Sequence, residues 1–274
     1  MDIPRITLNN GVSIPQLGLG VFQTRQGEET VNAVREALQA GYRHIDTAMI
    51  YRNEESVGEG IRQSGIDRRD VFVTTKLWND DIRAGATKEA CYRSMDRLGV
   101  DYLDLYLIHW PAQGWERCWE QMAQLYAEHR VRAIGVCNFQ RHHLESLLAM
   151  SGMRPAVNQI ESSPQFANQR LIDFSNAKRI DVEAYSPLGG TGGNLLADPR
   201  LAVIGRQYGK SPAQIVIRWH VQRGVIVLPK STHAERIRQN FDVFDFKLSD
   251  EHMRQIAAME TGKRNSADPD HFDF

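Results

Sequence analysis

Apolar residues along the chain alternate between two patterns. Short, nearly unbroken runs such as Val71-Phe-Val-Thr-Thr75 and Tyr102-Leu-Asp-Leu-Tyr-Leu-Ile108 read as buried strands. Between them, positions such as Val31, Val34 and Leu38 recur at helical spacing. The pattern opens with a hairpin over 5–15, whose turn is Asn9-Asn10-Gly11. A short glycine-bearing strand, Gln16-Leu-Gly-Leu-Gly20, follows. Further strands are predicted at 43–46, 71–75, 102–108, 132–136, 156–160, 181–185 and 225–228. Helices are predicted at 28–40, 54–63, 87–98, 116–128, 140–149, 168–177, 199–208, 212–222, 234–240 and 250–260. Gly41 and Gly99 stop two of them. Ser211-Pro-Ala-Gln214 has the form of a capping box with proline at the first helical position. The tail 261–274 is polar and is expected to be extended.

Eight strands alternating with helices over about 250 residues suit a (β/α)8 barrel, and a doubly wound open sheet shares the same rhythm. With no linker-like break in composition, residues 1–274 are expected to form a single domain. Lys and Arg (33) nearly balance Asp and Glu (34), which argues against a nucleic-acid partner. No apolar run approaches the length of a membrane span, and Met1–Arg5 has no leader-like apolar stretch. Cys91, Cys118 and Cys137 are too scattered for a disulfide framework or paired metal spacing. A cytoplasmic protein with no bound metal is expected.

Chemistry concentrates at three successive strand ends. The stretch from Gly41 to Glu55 delivers Asp46 and then Tyr51; the next strand delivers Lys76, and the one after it His109. In a parallel barrel such ends share one face. Taken singly, Asp46 could cap a turn, Tyr51 pack at a helix edge, Lys76 be solvated and His109 sit in the core. Equivalent placement on consecutive strands favours one site. An ammonium against a phenol eases loss of the phenol proton, whose free pKa is about 10. Asp46 would hold the ammonium, and His109 would donate to a substrate oxygen. The set suits a carbonyl that gains a proton on oxygen while hydride reaches carbon.

The chain resembles the aldo-keto reductase family from end to end, and most nearly its bacterial 2,5-diketo-D-gluconate reductases. The resemblance is carried by Gly41-Tyr-Arg-His-Ile-Asp-Thr-Ala, Thr75-Lys-Leu-Trp-Asn79, Leu105-Tyr-Leu-Ile-His-Trp-Pro111 and Ile134-Gly-Val-Cys-Asn-Phe139. Ala156-Val-Asn-Gln-Ile-Glu161, Tyr185-Ser-Pro-Leu188, Pro229-Lys-Ser231 and Asn240-Phe-Asp-Val-Phe244 complete it in order. It implies an α/β fold, a (β/α)8 TIM barrel with an N-terminal β-hairpin and an extra C-terminal helix. It also implies NADPH as cofactor, a tetrad of Asp46, Tyr51, Lys76 and His109, and Tyr51 as general acid in reducing an aldehyde or ketone.

By the same resemblance, Asn138 and Gln159 would hold the nicotinamide carboxamide and Tyr185 would stack on its ring. Ser186 and Leu188 would meet the pyrophosphate. Lys230, Ser231, Thr232 and Arg236 would take the extra phosphate of NADPH, and Asn240 the adenine. Gly189-Gly-Thr-Gly-Gly193 has the wrong phasing for a dinucleotide fingerprint after a strand. Phe22, Trp78 and Trp110 would wall the substrate pocket, while Trp115 and Trp119 could serve the core alone.

Two departures bear on substrate preference: Ser162-Ser163-Pro164 stands where relatives usually have Leu-His-Pro, and the loop after His109 is short. The short loop predicts a more open pocket. Expected substrates are diketogluconate-like keto sugars, methylglyoxal and aromatic aldehydes. Small carbonyl compounds are the expected partners, without nucleic acid or membrane, and the chain is expected to be a monomer. A non-catalytic NADPH-binding regulatory protein on the same barrel is the alternative; it leaves Lys76 beside Tyr51 without a purpose.

Overall fold

The computed structural model describes residues 3–274; Met1 and Asp2, part of the opening read as leaderless, lie outside it. Strands β1 (Arg5–Thr7) and β2 (Ser13–Pro15) form the expected antiparallel hairpin, with Ile6 opposite Ile14. Leu8 and Ile14 pack against Phe72, Leu105, Leu107, Val157 and Ile226, so the hairpin plugs one end of the barrel interior. Asn9 ties it down by donating to the carbonyls of Pro155 and Arg179.

The chain then alternates as its apolar rhythm requires: β3 (Leu19–Gly20), α1 (Glu28–Ala40), β4 (His44–Asp46), α2 (Glu54–Ser64), β5 (Phe72–Leu77). Next come α3 (Asn79–Ala84), α4 (Thr87–Leu98), β6 (Leu103–Ile108), α5 (Trp115–Ala127), β7 (Val131–Cys137) and α6 (Arg141–Met150). The remaining elements are β8 (Val157–Glu161), α7 (Gln169–Ala177), β9 (Asp181–Tyr185), α8 (Pro199–Tyr208), α9 (Pro212–Gln222), β10 (Ile226–Val227), α10 (Ala234–Phe241) and α11 (Asp250–Ala257). Strands β3 to β10 pair in chain order and all in parallel. A parallel bridge between Leu17 and Val227 joins the two edges. There Gly18 N donates to Val227 O at 3.0 Å and Gly20 N to Pro229 O at 3.1 Å, closing the barrel. A Cβ on Gly18 would lie 2.7 Å from Leu228 Cδ2 and 2.8 Å from His44 Cγ, so the seam needs glycine.

The main apolar core lies between the sheet and its helices, where Trp119 is fully buried and bonds Ser151 Oγ through its indole nitrogen. Trp115 packs on Phe139. Both tryptophans therefore serve the core. The Ser211–Gln214 capping box is present as read. Three details differ from the sequence reading. The six-residue α3 is too short to show a helical period and was expected as loop. Strand β5 runs on to Leu77, because its ladder with β6 continues through Leu77 and Ile108, so Lys76 lies inside a strand and not past one. Helix α11 ends at Ala257, and the chain turns away at Met259.

Close helix packing supplies a test of the architecture. A Cβ on Gly58 of α2 would overlap the carbonyl oxygen of Leu98, the last residue of α4. Gly58→Ala is expected to destabilise the protein by about 1–3 kcal/mol despite alanine's better helix propensity. Urea denaturation checks it, and an unchanged or raised midpoint would refute the close approach.

Candidate active site

Strand alternation sends His44 and Asp46 of β4, and Thr74 and Lys76 of β5, to the same side of the sheet. Lys76 is fully buried, and its ammonium nitrogen bonds Asp46 Oδ1 at 2.7 Å, Asp46 Oδ2 at 2.8 Å and Thr47 O at 2.8 Å. All three of its hydrogens are thereby used. Tyr51 ends a single 3-10 turn after β4, which brings its ring centroid to 5.2 Å from Lys76 Nζ. His109 follows β6 directly and meets the Tyr51 ring edge-on at 5.8 Å. The four residues picked out along the chain thus do meet.

Electrostatics divide their roles. For Lys76, burial is the largest single influence and pulls the pKa down. The charges of Asp46, Tyr51 and Cys137 together with the Asp46 hydrogen bonds outweigh it, and the ammonium is held charged. For Tyr51, burial is again the largest influence and pushes the phenol up; Lys76 pulls the other way without overcoming it. The pull of Lys76 expected from the sequence is thus present but is the weaker influence. The balance leaves Tyr51 a neutral phenol with a proton to give. Burial, and then Lys76, hold His109 well below its usual range, so its imidazole is neutral.

One cavity of about 590 Å³ runs past these groups, a size usual for ligand sites. Asp46, Tyr51, His109, Asn138, Gln159, Tyr185, Ser186, Leu188 and Lys230 all line it, as do Phe22, Trp78 and Trp110. Lys76 lies beneath the lining. Ser231, Thr232, Arg236 and Asn240 lie outside it, on the stretch from β10 into α10. Ser231 and Asn240 are buried, Lys230 and Arg236 exposed. Asn138 and Ser186 both have positive φ, 64° and 50°, unusual for residues other than glycine and concentrated in proteins at functional sites. The Gln159 amide nitrogen bonds Asp46 Oδ2 at 2.9 Å and Glu183 Oε2 at 3.0 Å, leaving its carbonyl oxygen for a ligand. Tyr185 donates to Asn138 Oδ1 at 2.7 Å. A run of amide, phenol and hydroxyl groups leading to Lys230 fits a ligand with a carboxamide at one end and phosphate at the other.

The short loop after His109 does not cross the site. The C-terminal tail lines it instead, through Asn265, Ser266 and Phe274. Phe274 lines the cavity, stacking on Trp78 at 5.8 Å and meeting Trp110 edge-on at 5.1 Å; Phe272 packs on Trp110 at 5.0 Å. Asn79 and Arg83 of the unanticipated α3 donate to the Phe274 carbonyl at 3.0 and 2.7 Å. Buried Glu161 accepts from Asn265 N at 2.7 Å, Ser266 N at 3.0 Å and Ser266 Oγ at 2.7 Å. Ser266 Oγ also lies 2.7 Å from the Tyr185 hydroxyl. Ser162 and Ser163 are buried in a tight turn against Ala167 and Phe166 and do not reach the cavity. Phe274, Ser266 and Ile50 are lining residues that the sequence reading missed; the one available signal was the pair of phenylalanines in an otherwise polar tail.

A model described as the aldo/keto reductase family matches residues 16–261. An aldo-keto reductase of Mycolicibacterium smegmatis is 54% identical over 274 residues, 99% of this chain and 98% of that one. A methylglyoxal reductase of Escherichia coli is 43% identical over 270 residues, 97% of each. Among solved structures, a Bombyx mori aldo-keto reductase in complex with NADP is 37% identical with a TM-score of 0.93, covering 98% of this chain and 97% of its own.

The tail contacts give a direct test. Glu161→Leu removes the acceptor for three hydrogen bonds and is expected to speed tryptic cleavage at Lys263 or Arg264 by about tenfold, with the barrel intact. Digestion at the wild-type rate would show that Glu161 does not hold the tail.

Proposed function

The chain belongs to the aldo/keto reductase family, and from that premise we propose that it uses NADPH to reduce small aldehydes and ketones, with Tyr51 as the acid. The observation that carries this is the buried Asp46–Lys76 pair directly beneath a neutral Tyr51. Bound NADPH would supply the hydride for the carbonyl carbon, and everything else falls to the protein. His109, neutral, donates an N–H to the carbonyl oxygen and fixes its place without competing as an acid. Tyr51 gives its proton to that oxygen as charge develops there. The phenolate left behind is stabilised by Lys76, which Asp46 keeps charged and oriented. Asn138, Gln159 and Tyr185 would hold the nicotinamide; Ser186 and Leu188 the pyrophosphate; Lys230, Ser231, Thr232 and Arg236 the extra phosphate; and Asn240 the adenine.

The wall around Tyr51 suggests the substrate. Phe22, Trp78, Trp110 and Phe274 are apolar, and Lys230 is the one Lys or Arg lining the cavity among the described residues. In this reading the cofactor phosphate claims Lys230, so a sugar-acid carboxylate finds no cation. Uncharged dicarbonyls such as methylglyoxal, and aromatic aldehydes, fit better than the diketogluconate expected from the sequence resemblance. The likeness to a methylglyoxal reductase supports the same ranking. Three unpaired, buried cysteines accord with the cytoplasmic setting proposed here, and the enzyme is proposed to act as a monomer.

NADPH oxidation followed with methylglyoxal, a nitrobenzaldehyde and diketogluconate tests this. Tyr51→Phe is expected to lower kcat by about 10²–10⁴-fold with NADPH binding retained. Wild-type binding of NADPH with no turnover of any carbonyl would favour the regulatory alternative. Diketogluconate turned over as efficiently as methylglyoxal would refute the ranking. Separately, Lys230→Ala and Arg236→Ala are each expected to weaken NADPH binding by about tenfold and NADH binding little. Equal losses for both cofactors would remove these residues from the phosphate site.

A further inference from the structure

One ionisable residue inside the barrel has no part in the reaction as described. Glu183 stands on β9, fully buried, in register with Gln159 of β8. A carboxyl in such a place is costly unless its hydrogen bonds repay it. Its Oε2 accepts from the Gln159 amide nitrogen at 3.0 Å, and the other hydrogen of that nitrogen goes to Asp46 Oδ2 at 2.9 Å. Both hydrogens of the Gln159 amide thus point away from the cavity that the residue lines. Its carbonyl oxygen is left with only the Cys137 thiol, a weak donor at 3.8 Å.

A side-chain amide can present either end to a ligand. With two carboxyl oxygens waiting below, only one end can face the cavity. The reversed amide would set its oxygen against both acceptors and forfeit both hydrogen bonds. Asp46 alone does not impose this, since it needs only one of the two hydrogens, and the other could then turn outward. Burial and then Asp46 push the Glu183 carboxyl up to about 8, so at neutral pH it is largely uncharged, with its proton on Oε1, which has no hydrogen-bond partner, and Oε2 left as the acceptor that Gln159 meets. It therefore adds little negative charge beneath the Asp46–Lys76 pair. His44, whose Nε2 lies 3.8 Å from Glu183 Oε1, is lowered to about 3, chiefly by burial, and forms no ion pair with it.

We propose that Glu183 is a positioning residue that sets the orientation of the Gln159 amide, so that Gln159 meets the nicotinamide carboxamide with its carbonyl oxygen. This rests on the cofactor reading above.

Calorimetric titration of the full chain separates the two claims by using two probes. NADP+ carries the carboxamide; adenosine 2′,5′-bisphosphate carries the adenine and extra phosphate without it. Glu183→Leu is expected to weaken NADP+ binding about tenfold and leave bisphosphate binding unchanged. Glu183→Gln, which keeps an acceptor for the Gln159 nitrogen, is expected to bind NADP+ within about twofold of wild type. Gln159→Leu should match Glu183→Leu, and the double variant should lose no more than either. Glu183→Met serves if the leucine variant does not fold. Wild-type NADP+ affinity in the leucine or methionine variant would overturn the assignment. So would equal losses for both probes, or losses that add in the double variant. A wild type that binds neither probe would bring down the cofactor reading, and this assignment with it.

Discussion

The site depends on one buried ammonium. Lys76 sits inside β5, where a lone charge would not be tolerated, and it is tolerated because three acceptors surround it. That requirement ties β4 to β5 at their ends and fixes Asp46 and the Thr47 carbonyl relative to each other. Tyr51 can then stand over a positive charge whose position is settled before any ligand arrives. Preorganisation of this kind is what makes a weak acid effective, because no reorganisation accompanies proton transfer. The raised phenol pKa fits the same logic. Burial keeps the proton on Tyr51 in the resting site, and in the proposed reaction Lys76 would lower the cost of losing it to a substrate oxygen.

The polar network extends beyond the tetrad by two routes. Inward, Asp46 leads through Gln159 to Glu183, so the orientation of a ligand-facing amide and the charge state of the catalytic pair share hydrogen bonds. Outward, Asn138 leads through Tyr185 and Ser266 to Glu161 and the tail. The surface proposed to carry the nicotinamide is thereby built partly on the last residues of the chain. The tail also carries Phe272 and Phe274, so the wall of the substrate pocket and the placement of Tyr185 have a common support.

Much of this was legible along the chain, for physical reasons. Strands and helices of the barrel have strong periods, and glycines such as Gly41 and Gly99 sit at left-handed stops that only a few residue types tolerate. The tetrad was legible because equivalent strand ends converge in a parallel barrel. The tail was not, because what orders it is remote: Glu161 lies more than 100 positions from Asn265 and Ser266. No local pattern announces such a contact. Helix α3 escaped because six residues show less than two turns. The direction of the Tyr51 shift was misjudged because burial has no signature in spacing, while a neighbouring lysine does.

Placement of cations connects the fold to substrate choice. The barrel spends its one buried lysine on the acid and leaves Lys230 and Arg236 exposed near the start of α10. Between them the cavity is walled by aromatic rings, Phe274 among them. If the cofactor phosphate takes Lys230 as proposed, an anionic substrate group entering there would leave water without meeting a positive partner, a cost that aromatic contact does not offset. A compact uncharged carbonyl needs only the hydrogen bonds of His109 and Tyr51 at its oxygen and apolar contact elsewhere. Under the proposed reading, the side chains that favour an uncharged substrate are thus the same ones that surround Tyr51.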